Sequence, residues 1–240
     1  MKNILVLQHI AIEDPGYIKD LMESDGWHLT QVELDEGESI PEDLSAYDAM
    51  LCMGGPMDTL MEDEYPWLIE EKKRVREWVV EMGKPFLGFC LGCQLLGEVL
   101  GGKVVRSEPP EIGVLDIDMT EAAKQDVLFS EYPGTIKAVQ WHSYEVRDLE
   151  SNPEVTVLGS SANTKYQIFK YRDSAYAVQF HVEVRADTVM QWGCVPEYRA
   201  ALENSLGADA LDGFDQSARQ HMPEMNRLCA LLYENFKRIL

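Results

Sequence analysis

Positive charge is scarce in this chain. Lys and Arg number 21 against 42 Asp and Glu, a formal net charge of −21. Such a balance argues against nucleic acid and anionic membrane surfaces as partners. Long apolar runs are also missing. Lys2-Asn3 is followed by Ile4-Leu5-Val6-Leu7, a run of first-strand length that is too short for an export signal or a membrane span. The expected location is the cytoplasm. Cysteine is sparse and odd in number: Cys52, Cys90, Cys93, Cys194 and Cys229. Only one Cys-x-x-Cys unit occurs, so nothing suggests a zinc site, and neither metal nor organic cofactor is expected. Internal repeats, low-complexity runs, Pro/Ser linkers and an ATP-binding motif are all absent. A single domain over 1–240 is therefore expected, with a core over 1–184 and a helical C-terminal extension over 185–240 packed on it.

What is present is an α/β pattern, with short apolar runs alternating with helical periodicity. Strands are expected at Ile4–Gln8, Trp27–Leu34, Ala49–Met53 and Pro85–Phe89. Helices are expected at Tyr17–Ser24, Pro66–Met82 and Leu91–Leu100, the last closed by Gly101-Gly102. Beyond Gly102 strands dominate: Val104-Val105, Val114–Met119, Ile136–Trp141, Thr156–Gly159, Gln167–Tyr171 and Ala175–Phe180. Arg172-Asp173-Ser174 reads as a hairpin turn, so this half is expected to be largely antiparallel. A final amphipathic helix is expected over Glu224–Ile239. The acidic clusters at Glu33–Asp43 and Glu62–Glu64 read as solvated faces.

The most informative segment is Gly88-Phe89-Cys90-Leu91-Gly92. A buried strand runs into a sharp turn with cysteine at its apex, and a helix follows. Glycines stand two residues away on each side, the pattern of a nucleophile elbow with cysteine in place of serine. Only hydrogen fits as a side chain where the turn meets neighbouring chain. The free N–H groups at the start of the helix favour a thiolate and a developing oxyanion. Cys90 and Cys93 also have the spacing of a redox pair, but a redox motif has no need of these glycines, and Cys93 reads as a packing residue. A cysteine nucleophile needs a base and a group to orient it. Among His9, His28, His142, His181 and His221, His181 stands out because it ends a strand and Glu183 follows two residues later. Residues two apart on an extended chain share a face.

The elbow Gly88-x-Cys90-x-Gly92-x-Gln94, with Gln179-Phe180-His181-Val182-Glu183 far downstream, resembles the class I, triad-type glutamine amidotransferases. Gly54-Gly55-Pro56 resembles that family's oxyanion loop. Gln140-Trp141-His142-Ser143-Tyr144 resembles its glutamine-binding strand, and Glu111-Ile112-Gly113 an element common in the GMP-synthase-like branch. The resemblance runs from about Ile4 to about Glu183. It implies the family's sandwich fold: a central, mostly parallel sheet flanked by helices, plus a smaller antiparallel sheet. It also implies a triad in which Cys90 attacks, His181 moves the proton and Glu183 orients His181. The N–H groups of Gly55 and Leu91 would form an oxyanion hole. Gly54, Gln94, His142, Ser143 and Tyr144 would shape the glutamyl site, with His142 in a positioning rather than a reacting role. Another α/β family with an elbow cysteine carries histidine directly after it; here Leu91 follows.

The expected substrate is glutamine or another γ-glutamyl compound. Three destinations follow from the resemblance. The chain is a glutaminase that passes ammonia to a separate synthase, a freestanding γ-glutamyl peptidase or hydrolase, or a catalytically silent regulatory module. The intact Cys90, His181 and Glu183 argue against the last. If a synthase docks, Gly54-Gly55 is the natural hinge for an oxyanion loop held out of position until then.

Overall fold

A computed structural model describes residues 1–240. Nine strands form one sheet: β1 Asn3–Gln8, β2 His28–Glu33, β3 Ala49–Cys52, β4 Phe86–Phe89, β5 Lys103–Met119, β6 Thr135–Arg147, β7 Val155–Ser160, β8 Ile168–Tyr171 and β9 Ala175–Val178. Their order is β2-β1-β3-β4-β9-β8-β7-β5-β6. The first five are parallel. From β9 onward each neighbour pairs antiparallel. The parallel sheet and the antiparallel part are both present, joined by hydrogen bonds through β8 and β9 rather than standing apart.

Alternation along the parallel strands explains the layers. Ile4 and Val6 of β1 face one apolar core, together with Leu51, Phe89 and Val178. Leu5 and Leu7 face the other, with Met50, Phe86 and Ala177. Each of these side chains is buried, worth about 1.5–3 kcal/mol for a Val, Leu, Ile or Phe. A strand apolar on both faces needs helices on both. Helix α2 (Trp67–Arg76), which runs on through a π-turn to Glu81, and α3 (Leu91–Val99) cover the second face. Helix α1 (Gly16–Ser24) and three helices after residue 187 cover the first: α4 (Thr188–Trp192), α5 (Pro196–Leu206) and α6 (Ala210–Phe236).

Two expectations are corrected. The strands expected at 104–105 and 114–119 are one strand, β5, broken only by a register shift between Arg106 and Glu111. Pro109 and Pro110 lie there and have no N–H to donate. The last helix begins at Ala210 rather than Glu224 and passes through Pro223. A helix-interior proline costs about 3 kcal/mol. Leu211, Phe214 and Ala218 before it are buried in the same core as Met225, Leu228 and Leu232 after it. Their burial outweighs the proline. Residues 237–239 wind into a tighter 3₁₀ turn. No helix is long and apolar enough to cross a membrane.

Candidate active site

Strand β4 ends at Phe89, and Cys90 turns the chain with φ +48° and ψ −100° before α3 begins. A positive φ at a non-glycine residue costs on the order of 1–3 kcal/mol and persists only where the surroundings enforce it. Here they do: the Cys90 N–H donates to Val178 O at 2.9 Å and the Gly92 N–H to Met53 O at 3.0 Å. The turn is thereby tied to β9 on one side and the end of β3 on the other. The flanking glycines have no room for a side chain. A Cβ on Gly92 would stand 2.1 Å from Cys52 O, and one on Gly88 would stand 2.6 Å from Gly92 O.

His181 lies just past β9, held by reciprocal backbone hydrogen bonds with Val139 of β6. Its Nδ1 is 2.6 Å from Glu183 Oε1, while Glu183 Oε2 accepts the Val182 N–H at 2.9 Å. The Cys90 sulfur stands near enough to the imidazole to favour its charge. Trp192 of α4 packs its edge against the ring at 4.6 Å. Burial, the largest single influence on His181, disfavours its charge. The Glu183 carboxylate and the Cys90 sulfur outweigh burial, so the ring's pKa lies well above the usual histidine value. The structure thus brings Cys90, His181 and Glu183 together, with His181 and Glu183 directly bonded.

A cleft of about 370 Å³ opens beside Cys90. Gly55, Gln94, His142, Ser143 and Tyr144 all line it. Gln94 donates through Nε2 to Tyr144 O at 3.1 Å and to Gln179 Oε1 at 3.3 Å, and Gln179 in turn approaches Cys90 Sγ at 3.6 Å. Leu91 opens α3, and its side chain is buried. Gly54 lies between Glu13 and His181 rather than on the cleft. A Cβ there would stand 2.0 Å from Glu13 Oε2 and 3.4 Å from His181 Cε1.

His142 is a strut. Its Nδ1 lies 2.9 Å from Tyr144 O and its Nε2 3.2 Å from Glu111 Oε2. Glu111 also accepts from Ser161 Oγ at 2.6 Å and Gln167 Nε2 at 2.7 Å. Burial opposes the charge on Glu111, but the hydrogen bonds from His142 and Ser161 prevail and lower its pKa to about 2. The net effect is to pin the Trp141–Tyr144 segment along the cleft. Cys93 faces away into the core, where burial pushes its thiol up.

Four features were not anticipated from the sequence. Glu13, buried beside Gly54, accepts a hydrogen bond from the Tyr198 hydroxyl, and burial pushes its carboxyl up. Tyr198 belongs to α5, and that helix lines the cleft with Glu197, Ala201 and Asn204 as well. His9 and Glu71 form a buried pair behind Gly54, with Nε2 to Oε1 at 2.8 Å. Cys52 donates to the same Glu71 oxygen at 3.3 Å. Nothing in the sequence flags these residues. His9 ends an apolar strand, Glu13 sits in an acid-rich chain, and their partners lie far along it.

A strand–cysteine–helix elbow on a mixed sheet, with a buried His–Glu pair beside the sulfur, defines the class as an α/β protein with a nucleophile elbow. The chain belongs to the family glutamine amidotransferase class-I, whose sequence profile matches residues 17–190. The glutamine-hydrolyzing GMP synthase subunit of Sulfolobus acidocaldarius is 29% identical over 178 residues, 74% of this chain and 84% of that one. A glutamine amidotransferase of Thermotoga maritima superposes with a TM-score of 0.85 at 27% identity, covering 98% of this chain and 97% of the other. A GMP synthase subunit protein from Thermoplasma acidophilum superposes at 0.59 and 21% identity, covering 93% of this chain and 98% of the other, a likeness of fold alone. The profile ends before α5 and α6, yet α5 lines the cleft.

Proposed function

We propose that this chain hydrolyses the γ-glutamyl C–N bond of glutamine through a Cys90 thioester. The supporting observation is the placement of His181 between Cys90 and Glu183, at an elbow that opens onto the cleft. Cys90 Sγ attacks the γ-carbonyl carbon as the thiolate, its proton already resting on His181. The N–H groups of Leu91 and Gly55 receive the negative charge that forms on the carbonyl oxygen. The C–N bond then breaks as His181 gives its proton to nitrogen, and ammonia leaves. His181 next takes a proton from water, the hydroxide attacks the thioester, and glutamate departs with Cys90 restored. Glu183 holds the Nδ1 proton throughout and keeps Nε2 toward the sulfur. Gln94 and the backbone of Ser143 and Tyr144 hold the glutamyl head group. No step calls for a cofactor.

Two destinations for the nitrogen follow. In the first, ammonia passes to a separate synthase, and the net charge of −21 would call for a basic docking patch whose grip weakens with salt. In the second, the chain is a freestanding γ-glutamyl hydrolase. The α5 wall favours the second, because the chain's own helix lines the cleft with Glu197, Ala201 and Asn204. The test is turnover by the purified chain with glutamine and with γ-glutamyl dipeptides. Faster hydrolysis of dipeptides supports the freestanding reading. Slow turnover of both substrates that rises with a cell extract supports the synthase reading. No turnover of either under any condition, from folded protein, removes the enzymatic proposal.

A further inference from the structure

The Gly54–Gly55 peptide supplies one donor of the proposed oxyanion hole, and its orientation decides whether that donor faces the sulfur. The two glycines leave it free to flip. It is trans, so the Gly54 C=O and the Gly55 N–H point in opposite directions. His9 Nδ1 lies 2.9 Å from Gly54 O, so the Gly55 N–H on the opposite edge of the peptide points away from the His9 ring. On the far side of the ring, His9 Nε2 lies 2.8 Å from Glu71 Oε1. Both ring nitrogens therefore face oxygen acceptors. A neutral imidazole has only one N–H and would set a lone pair against an oxygen at one end or the other. Both bonds are made at once when the ring carries both protons and Glu71 is ionised.

We infer that the buried His9–Glu71 pair is an anchor that holds the Gly54–Gly55 peptide in the orientation needed for the oxyanion hole, so that the hole is set in the isolated chain. This rests on the proposed thioester chemistry. His9 touches neither sulfur nor cleft and acts as a positioning residue through a backbone carbonyl. The surroundings suit an anchor. Trp67 stacks on the ring with centroids 5.5 Å apart, and His9 and Glu71 are fully buried. The titratable groups facing the pair are Glu71 from α2, Cys52 at the end of β3 through its bond to Glu71, and Glu13 from the loop after β1. Burial, the largest influence on His9, lowers its pKa, but Glu71, the Gly54 carbonyl and Glu13 together raise it above the usual value. Flipping the peptide would strand a charged donor in the core. The hinge expected from Gly54-Gly55 is thus latched.

The test contrasts two variants. The amide nitrogen of asparagine takes the place of Nδ1, whereas that of glutamine takes the place of Nε2. His9→Asn keeps the donor to Gly54, and His9→Gln keeps only the link to Glu71. Loss of an oxyanion donor costs roughly 10²–10³-fold in kcat. His9→Gln is expected to approach that loss with KM little changed, and His9→Asn to recover most of the rate. Alkylation of Cys90 by iodoacetamide, followed by peptide mass spectrometry, passes through no oxyanion. It should proceed at the wild-type rate in both variants. Equal hydrolysis by the two variants, or alkylation that falls along with hydrolysis, overturns the anchor. Absence of hydrolysis in the wild-type chain would instead overturn the underlying function.

Should neither variant fold, the wild-type protein carries the test. ¹⁵N NMR of labelled histidine, with His9 assigned by its contact to Trp67, gives the pH at which the ring loses a proton. Hydrolysis should fall away from alkylation at that same pH. A fall at a different pH, or none as His9 titrates, refutes the inference.

Discussion

Two buried histidine–glutamate pairs lie on opposite sides of Gly54, similar in construction and different in consequence. His181 and Glu183 are 2.6 Å apart, His9 and Glu71 2.8 Å apart, and all four side chains are buried. In both pairs the glutamate outweighs the burial that would otherwise keep the ring neutral. What separates them is the further group beside the ring. Near His181 it is the Cys90 thiol, which can give up a proton and form a bond to carbon. At His9 it is a backbone carbonyl, which can only accept a hydrogen bond. The pair alone does not make acid–base chemistry; the third partner does. One pair is suited to moving a proton, the other to fixing a peptide.

The sharpest way to break this comparison is to remove the reacting ring. His181→Ala is expected to lower hydrolysis by roughly 10²–10⁴-fold, the contribution of a general base. Glu183→Gln keeps a hydrogen-bonding group without its charge and should lose less. Steady-state kinetics on folded variants checks both, and equal losses would contradict an orienting role for Glu183.

Next in size is a change between the pairs. A methyl at Gly54 would lie 2.0 Å from Glu13 Oε2, so Gly54→Ala must shift either the loop or the carboxylate. Displacement of about 1 Å near reacting atoms costs on the order of 10²-fold. Gly54→Ala is expected to show that loss in kcat with a thermal midpoint close to wild type. Undiminished kcat would mean that the loop has slack the geometry does not suggest.

A third pair, His142–Glu111, sharpens the contrast through pH. The Glu111 carboxyl is lowered from its ordinary 4.5 to about 2. Its stabilisation is therefore fully present above pH 4.5 and is lost as pH falls toward 2, worth on the order of 3 kcal/mol. His9 and His181 have the opposite sign. Their folded pKa values are raised above 6.5, so their stabilisation is full below 6.5 and fades as pH rises through those values. Denaturant titrations across pH should show Glu111→Gln flattening the acid side of the stability profile and leaving the alkaline side alone. An unchanged acid side would contradict the strut.

The smallest effect is expected on the α5 wall. Ala201→Phe narrows the cleft at α5. It should reduce turnover of γ-glutamyl dipeptides several-fold while sparing glutamine, as separate kcat/KM measurements would show. Equal losses on both substrates would mean that α5 does not face the leaving group.

Much of this arrangement was legible in the sequence for simple physical reasons. Strands buried on both faces must be apolar throughout, which marks β1, β3 and β4. The elbow needs glycine at Gly88 and Gly92, and those are visible. His181 and Glu183 are two residues apart, so their pairing is local, although β9 ends at Val178 and the chain bends between them. The rest depends on contacts between distant segments. His9 and Glu71 are 62 residues apart and meet only when α2 packs beside β1. Glu13 and Tyr198 are 185 apart. Pro223 reads as a helix stop, and only the shared core reached by Leu211, Phe214 and Leu232 overrides it. The role of α5 as a cleft wall has no local pattern at all.

The central claim is that Cys90 carries the γ-glutamyl group. Rapid acid quenching of the protein during turnover of glutamine, followed by peptide mass spectrometry, tests it directly. The account predicts one adduct with the mass of a γ-glutamyl group, on the peptide that contains Cys90, and none in Cys90→Ala. An adduct on another residue, or hydrolysis that continues in Cys90→Ala, would contradict it.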